Sequence, residues 1–398
     1  MSEQSEWPRK ALAEVGELMR GRRFTKNDYV ESGLGCIHYA QIHTDFGAIV
    51  RDPLTFLAED SRARMRLAHP GDLVIAATSE NVDDVGKAVA WLGDDDVAVH
   101  DDCYIFRHGF DPAYVSYFFS SSLFHSRKIK YVSETKVVRI SGANLSMIEI
   151  PVPPQQAQER IVEVVGAVDD QITALDDEAG ALEGVYRAAM SLLWCTAEGN
   201  EAESRLLGAV MRLDVIRTPM KAGTTFHLAG VLNAGKGLID KDAFDGADTE
   251  YTAMNVLREN QVVMRKLTAW EGPITVVPAE FDGFVASNEF PTFTLAADIA
   301  PGWMKHVCRT PRLWAEMQSR VVGTVQRRKR LNPDQLLAVA LPVPSRPEQE
   351  QAAEALDAIE GQIAVIRTEA TRLRQARAGL LAGLLDRTID IESAELEV

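Results

Sequence analysis

Two stretches of this 398-residue chain share one hydrophobic rhythm. In the first, Ile161, Val165, Val168, Ile172, Leu175, Ala179, Leu182, Tyr186, Ala189 and Leu193 follow one another in alternating steps of four and three. In the second, Ala352, Leu356, Ile359, Ile363, Ile366, Ala370, Leu373, Arg377, Leu380 and Leu384 do the same, and Arg377 alone breaks the apolar series. A mean period of 3.5 residues belongs to a coiled-coil seam, so each stretch predicts a long helix. A Pro-x-Pro pair stands just before each helix, where proline is tolerated and sets the entry direction.

The two stretches are copies. Ile150-Pro-Val-Pro-Pro-Gln-Gln-Ala-Gln-Glu159 aligns with Leu341-Pro-Val-Pro-Ser-Arg-Pro-Glu-Gln-Glu350 at an offset of 191, and the register holds without a gap for 35 further positions. The regions in front repeat more weakly, at an offset of 189: Asp72-Leu-Val-Ile75 falls on Gln261-Val-Val-Met264, and Pro112-Ala-Tyr114 on Pro301-Gly-Trp303. Short apolar runs at Leu73–Ile75, Ile105–Phe106, Ile274–Val277 and Thr292–Leu295, separated by Gly, Asp and Asn, predict strands. One helix follows each proline, near Pro112–His125 and Pro301–Val321. The order is globular region, helix, globular region, helix. The segments expected are 1–150, 151–200, 201–341 and 342–390, with an acidic tail at 391–398.

Charge changes this picture little. The net charge is −16, which sits awkwardly with binding a polyanion. However, residues 151–200 hold 2 Lys/Arg against 9 Asp/Glu, and 342–398 hold 6 against 11, so −12 lies in two short segments. Residues 201–341 hold 17 against 16, which leaves room for a local basic face. The cysteines Cys36, Cys103, Cys195 and Cys308 are scattered singly, so neither a disulfide framework nor a zinc site is expected. The polar start and the lack of a long apolar run predict a cytoplasmic protein with no membrane segment.

Catalytic motifs fail on inspection. Gly230 to Lys236 has phosphate-loop spacing, but Gly237 follows where a hydroxyl should hold Mg²⁺, and no clear buried strand is expected before it. Glu134-Thr135-Lys136 resembles the end of a nuclease motif without a partner Asp. The histidines show no metal spacing, and no methyltransferase motif is complete. The basic clusters are more informative. They are Arg20, Arg22, Arg23 and Lys26; Arg62, Arg64 and Arg66; Arg127, Lys128 and Lys130; Arg265-Lys266; and the run Arg327, Arg328, Lys329, Arg330. Such density suits phosphates, and Arg327–Arg330 is the best candidate.

Pro-x-Pro-Pro-x-x-x-Gln-x-x-Ile opening a heptad helix, in a doubled chain, resembles the specificity subunits of type I restriction-modification enzymes. Trp7-Pro8, Gly71-Asp72-Leu73-Val74 and Glu348-Gln349 fit the same resemblance, although the first copy has Ala157-Gln158 in place of the Glu-Gln pair. The resemblance implies an α+β fold: two mixed α/β target recognition domains separated by two long antiparallel coiled-coil helices. Each domain would read one half of a split double-stranded DNA site. The subunit would have no catalytic residues, metal or cofactor of its own. DNA adenine methyltransferase subunits, two by pseudo-symmetry, would supply S-adenosylmethionine, and an ATP- and Mg²⁺-dependent translocase–nuclease would be a further subunit. The residues expected at DNA are Arg20, Arg22, Arg23, Lys26, Lys130, Lys136, Arg265, Lys266, Arg327, Arg328, Lys329 and Arg330 for phosphate and guanine, with Gln41, Ser287 and Asn288 in loops beside the strands. The competing expectations are an acidic protein-protein adaptor or DNA-mimic decoy, and an enzyme of unrecognised chemistry.

Overall fold

The computed structural model describes residues 6–134, 137–322 and 329–391. The chain forms two compact units, Met1–Asp176 with Thr368–Val398, and Asp177–Arg367. Each unit therefore holds one globular region with a segment of both long helices, which run Gln155–Ala189 and Arg346–Leu385. Every position of both predicted seams is buried or half-buried. Within the first unit Asp169 pairs with Arg377 and Asp176 with Arg374, so the helix segments run antiparallel. Arg377, the break in the seam, also lies with its guanidinium 5.2 Å from the centre of the Tyr117 ring. In the second unit Glu183 pairs with Arg367. The expected α+β class, with two long helices following mixed regions, holds.

The same sheet is built twice. In the first unit the strands lie in the order Gly16–Arg20, Cys103–His108, Leu73–Ala76, Ala88–Trp91, Ile49–Val50. In the second the order is Met211–Leu213, Thr292–Leu295, Val262–Met264, Ile274–Val276. Leu73–Ala76 is wholly buried because both its faces are covered. Leu73 and Ile75 pack with Tyr114 and Phe118 of the helix Pro112–Ser120, while Val74 and Ala76 pack with Val97, Val99 and Trp91. A strand covered on both faces reads as a continuous apolar run, as this one does. It is entered through a left-handed residue in both copies, Gly71 at φ 96° and Asn260 at φ 63°. Glycine and asparagine are the residues that tolerate that backbone. The buried Asp72 that follows is held by Arg107, whose Nε and Nη2 donate at 3.0 and 2.6 Å.

Both ends of each long helix are clasped in the same way. At the starts, the buried side chains of Gln158 and Gln349 accept from Asp111 N–H (3.0 Å) and Ala300 N–H (2.8 Å), and donate to the carbonyls of Pro153 (2.9 Å) and Pro344 (2.8 Å). At the ends, Trp7 donates its indole N–H to the Leu384 carbonyl, and Trp303 donates to Leu193, both at 2.9 Å. Leu193 and Leu384 are equivalent positions of the repeat, 191 apart. The glutamate present in one copy only also has a structural reason. Glu348 accepts from Ser345 N–H (2.8 Å), Ser345 Oγ–H (2.7 Å) and Ala197 N–H (2.7 Å). In the first copy Pro154 stands in place of Ser345 and offers neither donor, and Ala157 stands in place of Glu348.

The drift of the repeat from 189 to 191 is also located. Ser133 pairs with Arg139, and Val322, 189 positions on, pairs with Arg330, 191 positions on. The two extra residues of the second copy lie between these partners.

Candidate nucleic-acid interface

Three separate segments of the second unit carry the candidate residues, and the backbone stitches them together. Lys266 N–H donates to the Glu289 carbonyl (2.9 Å), Leu331 N–H to the Lys266 carbonyl (3.0 Å), and Thr268 N–H to the Lys329 carbonyl (3.1 Å). Arg265, Lys266, Ser287, Asn288, Lys329 and Arg330 thus share one loop cluster. Their side chains differ in availability. Arg265 donates to Asn233 (2.8 Å), Thr268 (2.6 Å) and Glu271 (3.1 Å), so it braces the turn rather than facing outward. Lys266 and Arg330 flank Glu289 at 3.7 and 3.2 Å. Ser287 Oγ accepts from Glu289 N–H at 3.1 Å. Lys329 makes no side-chain hydrogen bond or ion pair among the described residues. Asn288 Oδ1 accepts from Arg217 at 2.8 Å, and both line a cleft of about 300 Å³ with Lys266, Asn255 and Pro333.

The first unit has a cleft of about 240 Å³ at the corresponding place, lined by Arg20, Thr78, Tyr104, Arg139, Ser141 and Asn144. Arg20 Nε donates to the Asp101 carbonyl at 2.7 Å. Arg22, Arg23 and Lys26 are exposed, and their side chains have no hydrogen bond or ion pair among the described residues. Lys130 is exposed and lies 4.9 Å from the centre of the Tyr131 ring. Its cluster neighbours are structural. Lys128 is buried and donates to the carbonyls of Asp83 and Val85, both at 2.7 Å, and burial pushes its ammonium down to about 8. Arg127 donates to the Glu149 carbonyl. Gln41 departs from the expectation: it is 3% exposed, accepts from His38 N–H (3.1 Å) and donates to Thr55 (3.1 Å), so its amide does not face a ligand. Lys136, Arg327 and Arg328 lie outside the described residues.

The segment with phosphate-loop spacing is a hairpin turn. The strand Thr225–Val231 runs into it, exposed or half-buried over Thr225–Leu228, and another strand follows at Leu238–Asp245, so no helix start faces a phosphate there. Two groups of potential metal ligands meet among the described residues, His100 with Asp101 and Asp102, and His306 with Asp357 and Glu360. In the first, His100 already bonds Phe24 O (3.0 Å) and Asp102 N (3.2 Å). In the second, Lys305 and Arg309 hold the carboxylates at 2.6 and 2.5 Å. Among the described residues no helix is long and apolar enough to cross a membrane.

Residues 67–180 match the family described as the type I restriction modification DNA specificity domain. Over that stretch the chain is similar to a type I restriction-modification specificity domain. The match takes in the Leu73–Ala76 strand, the Pro112–Ser120 helix and most of the first long helix, and the repeat relates these to their counterparts in the second unit. A curated relative is the type I restriction enzyme MjaVIII specificity subunit of Methanocaldococcus jannaschii, 24% identical over 194 residues. That alignment spans 47% of this chain and 45% of the relative, so the chain covers about half the length of that protein. Two solved structures share the fold over almost the whole chain. One is the S subunit of a type I restriction-modification system from M. genitalium, at 12% identity and a TM-score of 0.56, covering 97% of each chain. The other comes from work on complex assembly and conformational transition of the type I restriction-modification system, at 16% identity and a TM-score of 0.60, covering 97% of this chain and 99% of that one. The resemblance read from the repeat holds.

Two arginines were not among the candidates read from the sequence, Arg139 in the first unit and Arg217 in the second. Both are isolated in sequence, so a search for basic clusters does not find them. Pairing within the fold brings Arg139 beside Arg20, and Arg217 beside Lys266 and Asn288.

Proposed function

We propose that this chain is the DNA-sequence-specificity subunit of a type I restriction-modification complex, reading a bipartite duplex site with one half to each globular region. The observation that carries the reading is the doubled specificity fold, with a polar cleft and exposed cations in each unit. In this reading the chain positions chemistry done elsewhere. DNA adenine methyltransferase subunits, one per repeat, bind S-adenosylmethionine and act on the target base, and a translocase–nuclease subunit uses ATP and Mg²⁺. The complex works in the cytoplasm.

Phosphate contacts release counterions, so affinity must fall with salt. For the complex assembled with methyltransferase subunits, 6–10 phosphate contacts would lower affinity by about 10³–10⁵ between 50 and 200 mM salt. An acidic adaptor or DNA-mimic decoy would show no duplex binding in the same titration, and that result would end the DNA-reading account.

A further inference from the structure

One arginine occupies the same place in both units. Arg139 and Arg330 are 191 positions apart. Arg139 pairs through its backbone with Thr78 on one side and Ser133 on the other. Arg330 pairs with Leu267 and Val322, each 189 positions beyond those partners. The next residues repeat the contact: Ile140 N–H donates to the Ala77 carbonyl, and Leu331 N–H to the Lys266 carbonyl, both at 3.0 Å. The backbone therefore delivers two arginines to equivalent positions: Arg139 lines the polar cleft of its unit, and Arg330 is held beside Lys266, which lines the other.

Neither side chain is there to hold the fold. Arg139 is exposed and makes no side-chain hydrogen bond or ion pair among the described residues. The Arg330 side chain is 48% exposed, and among the described residues it pairs with Glu289 at 3.2 Å, which Lys266 already faces. A partly exposed ion pair of that kind contributes little to stability.

Resting on the DNA-reading proposal above, we propose that Arg139 and Arg330 form a matched pair of backbone contacts, each gripping a phosphate of its own half-site. The two halves of a bipartite site differ in base sequence but share their sugar-phosphate backbone. A side chain repeated in both units is suited to what the halves share, while cleft residues that differ between units, Arg217 and Asn288 against Arg20 and Asn144, are suited to what distinguishes them. The planar guanidinium fork, with its five donors, matches phosphate oxygens.

The test uses the complex reconstituted with methyltransferase subunits and carrying Arg139→Ala, Arg139→Lys or Arg330→Ala. Binding to a cognate and an unrelated duplex is titrated against salt, and methylated sites are mapped. Each alanine variant should weaken both duplexes by the same factor and make the slope of log K against log salt shallower by about 0.9. The methylated motif should be unchanged in both halves, and Arg139→Lys should keep the wild-type slope. Relaxed preference at a base pair of one half-site would make the arginine a base reader and overturn the proposal. Unchanged affinity and slope would also overturn it, by assigning the residue to solvated surface. A wild-type complex with no bipartite motif would instead defeat the DNA-reading account on which the proposal rests.

Discussion

Replacing Trp303 with alanine is expected to cost about 3–5 kcal/mol of stability, the range for removing a fully buried tryptophan. The side chain is completely buried and packs among Trp194, Leu193 and Leu356. Its ring meets that of Trp194 edge-on, with centroids 6.4 Å apart. Its indole N–H also satisfies the Leu193 carbonyl at the end of the first long helix. An orphaned buried carbonyl adds a cost of about 1–3 kcal/mol. Trp303→Phe keeps most of the apolar surface and loses the hydrogen bond, so it should cost less than half as much. Chemical denaturation of the two variants measures the difference. Hydrogen exchange locates it: protection should fall over residues 186–194 and hold over 155–170. A loss below about 1 kcal/mol for the alanine variant would show that the clasp does not hold the helix end.

Exchanging residues 201–341 for the corresponding region of another specificity subunit should replace one half-site and leave the other intact. Among the described residues, Arg265, Lys266, Ser287, Asn288, Lys329 and Arg330 sit in one loop cluster whose backbone bonds are made within 265–331. The cluster therefore travels as a block. The retained helices still supply Leu193, Trp194, Ala352, Ala353 and Leu356 to the core, so an incoming domain must fit those residues. Each mismatched base pair in a specific site costs about 1–3 kcal/mol, so the altered half should discriminate by roughly 5- to 150-fold per position. Sequencing of methylated sites reads both halves at once. If both halves change together, the units do not read separately.

What the sequence made legible follows from periodicity. The seams were readable because a 3.5-residue period persists over ten positions in each copy, and the structure buries or half-buries each of them. The strand at Leu73–Ala76 was readable because a buried strand leaves a continuous apolar run. The site was less readable, because a side chain's type does not reveal its partner. Gln41 and Arg265 have the chemistry of base and phosphate readers, yet the protein uses their polar atoms internally. Lys128 belongs to a basic cluster in sequence and is buried in the structure. Arg139 and Arg330 escaped notice as a pair because the two extra residues of the second copy fall just before Arg330 and shift the register.

The central claim is that this chain directs modification to a split DNA sequence. The most direct measurement is to sequence the methylated adenines in DNA exposed to the chain assembled with its methyltransferase subunits. The account predicts a single motif of two short half-sites separated by a gap of fixed length and unread sequence. Methylation at one continuous motif, or at sites that do not depend on this chain, would contradict it.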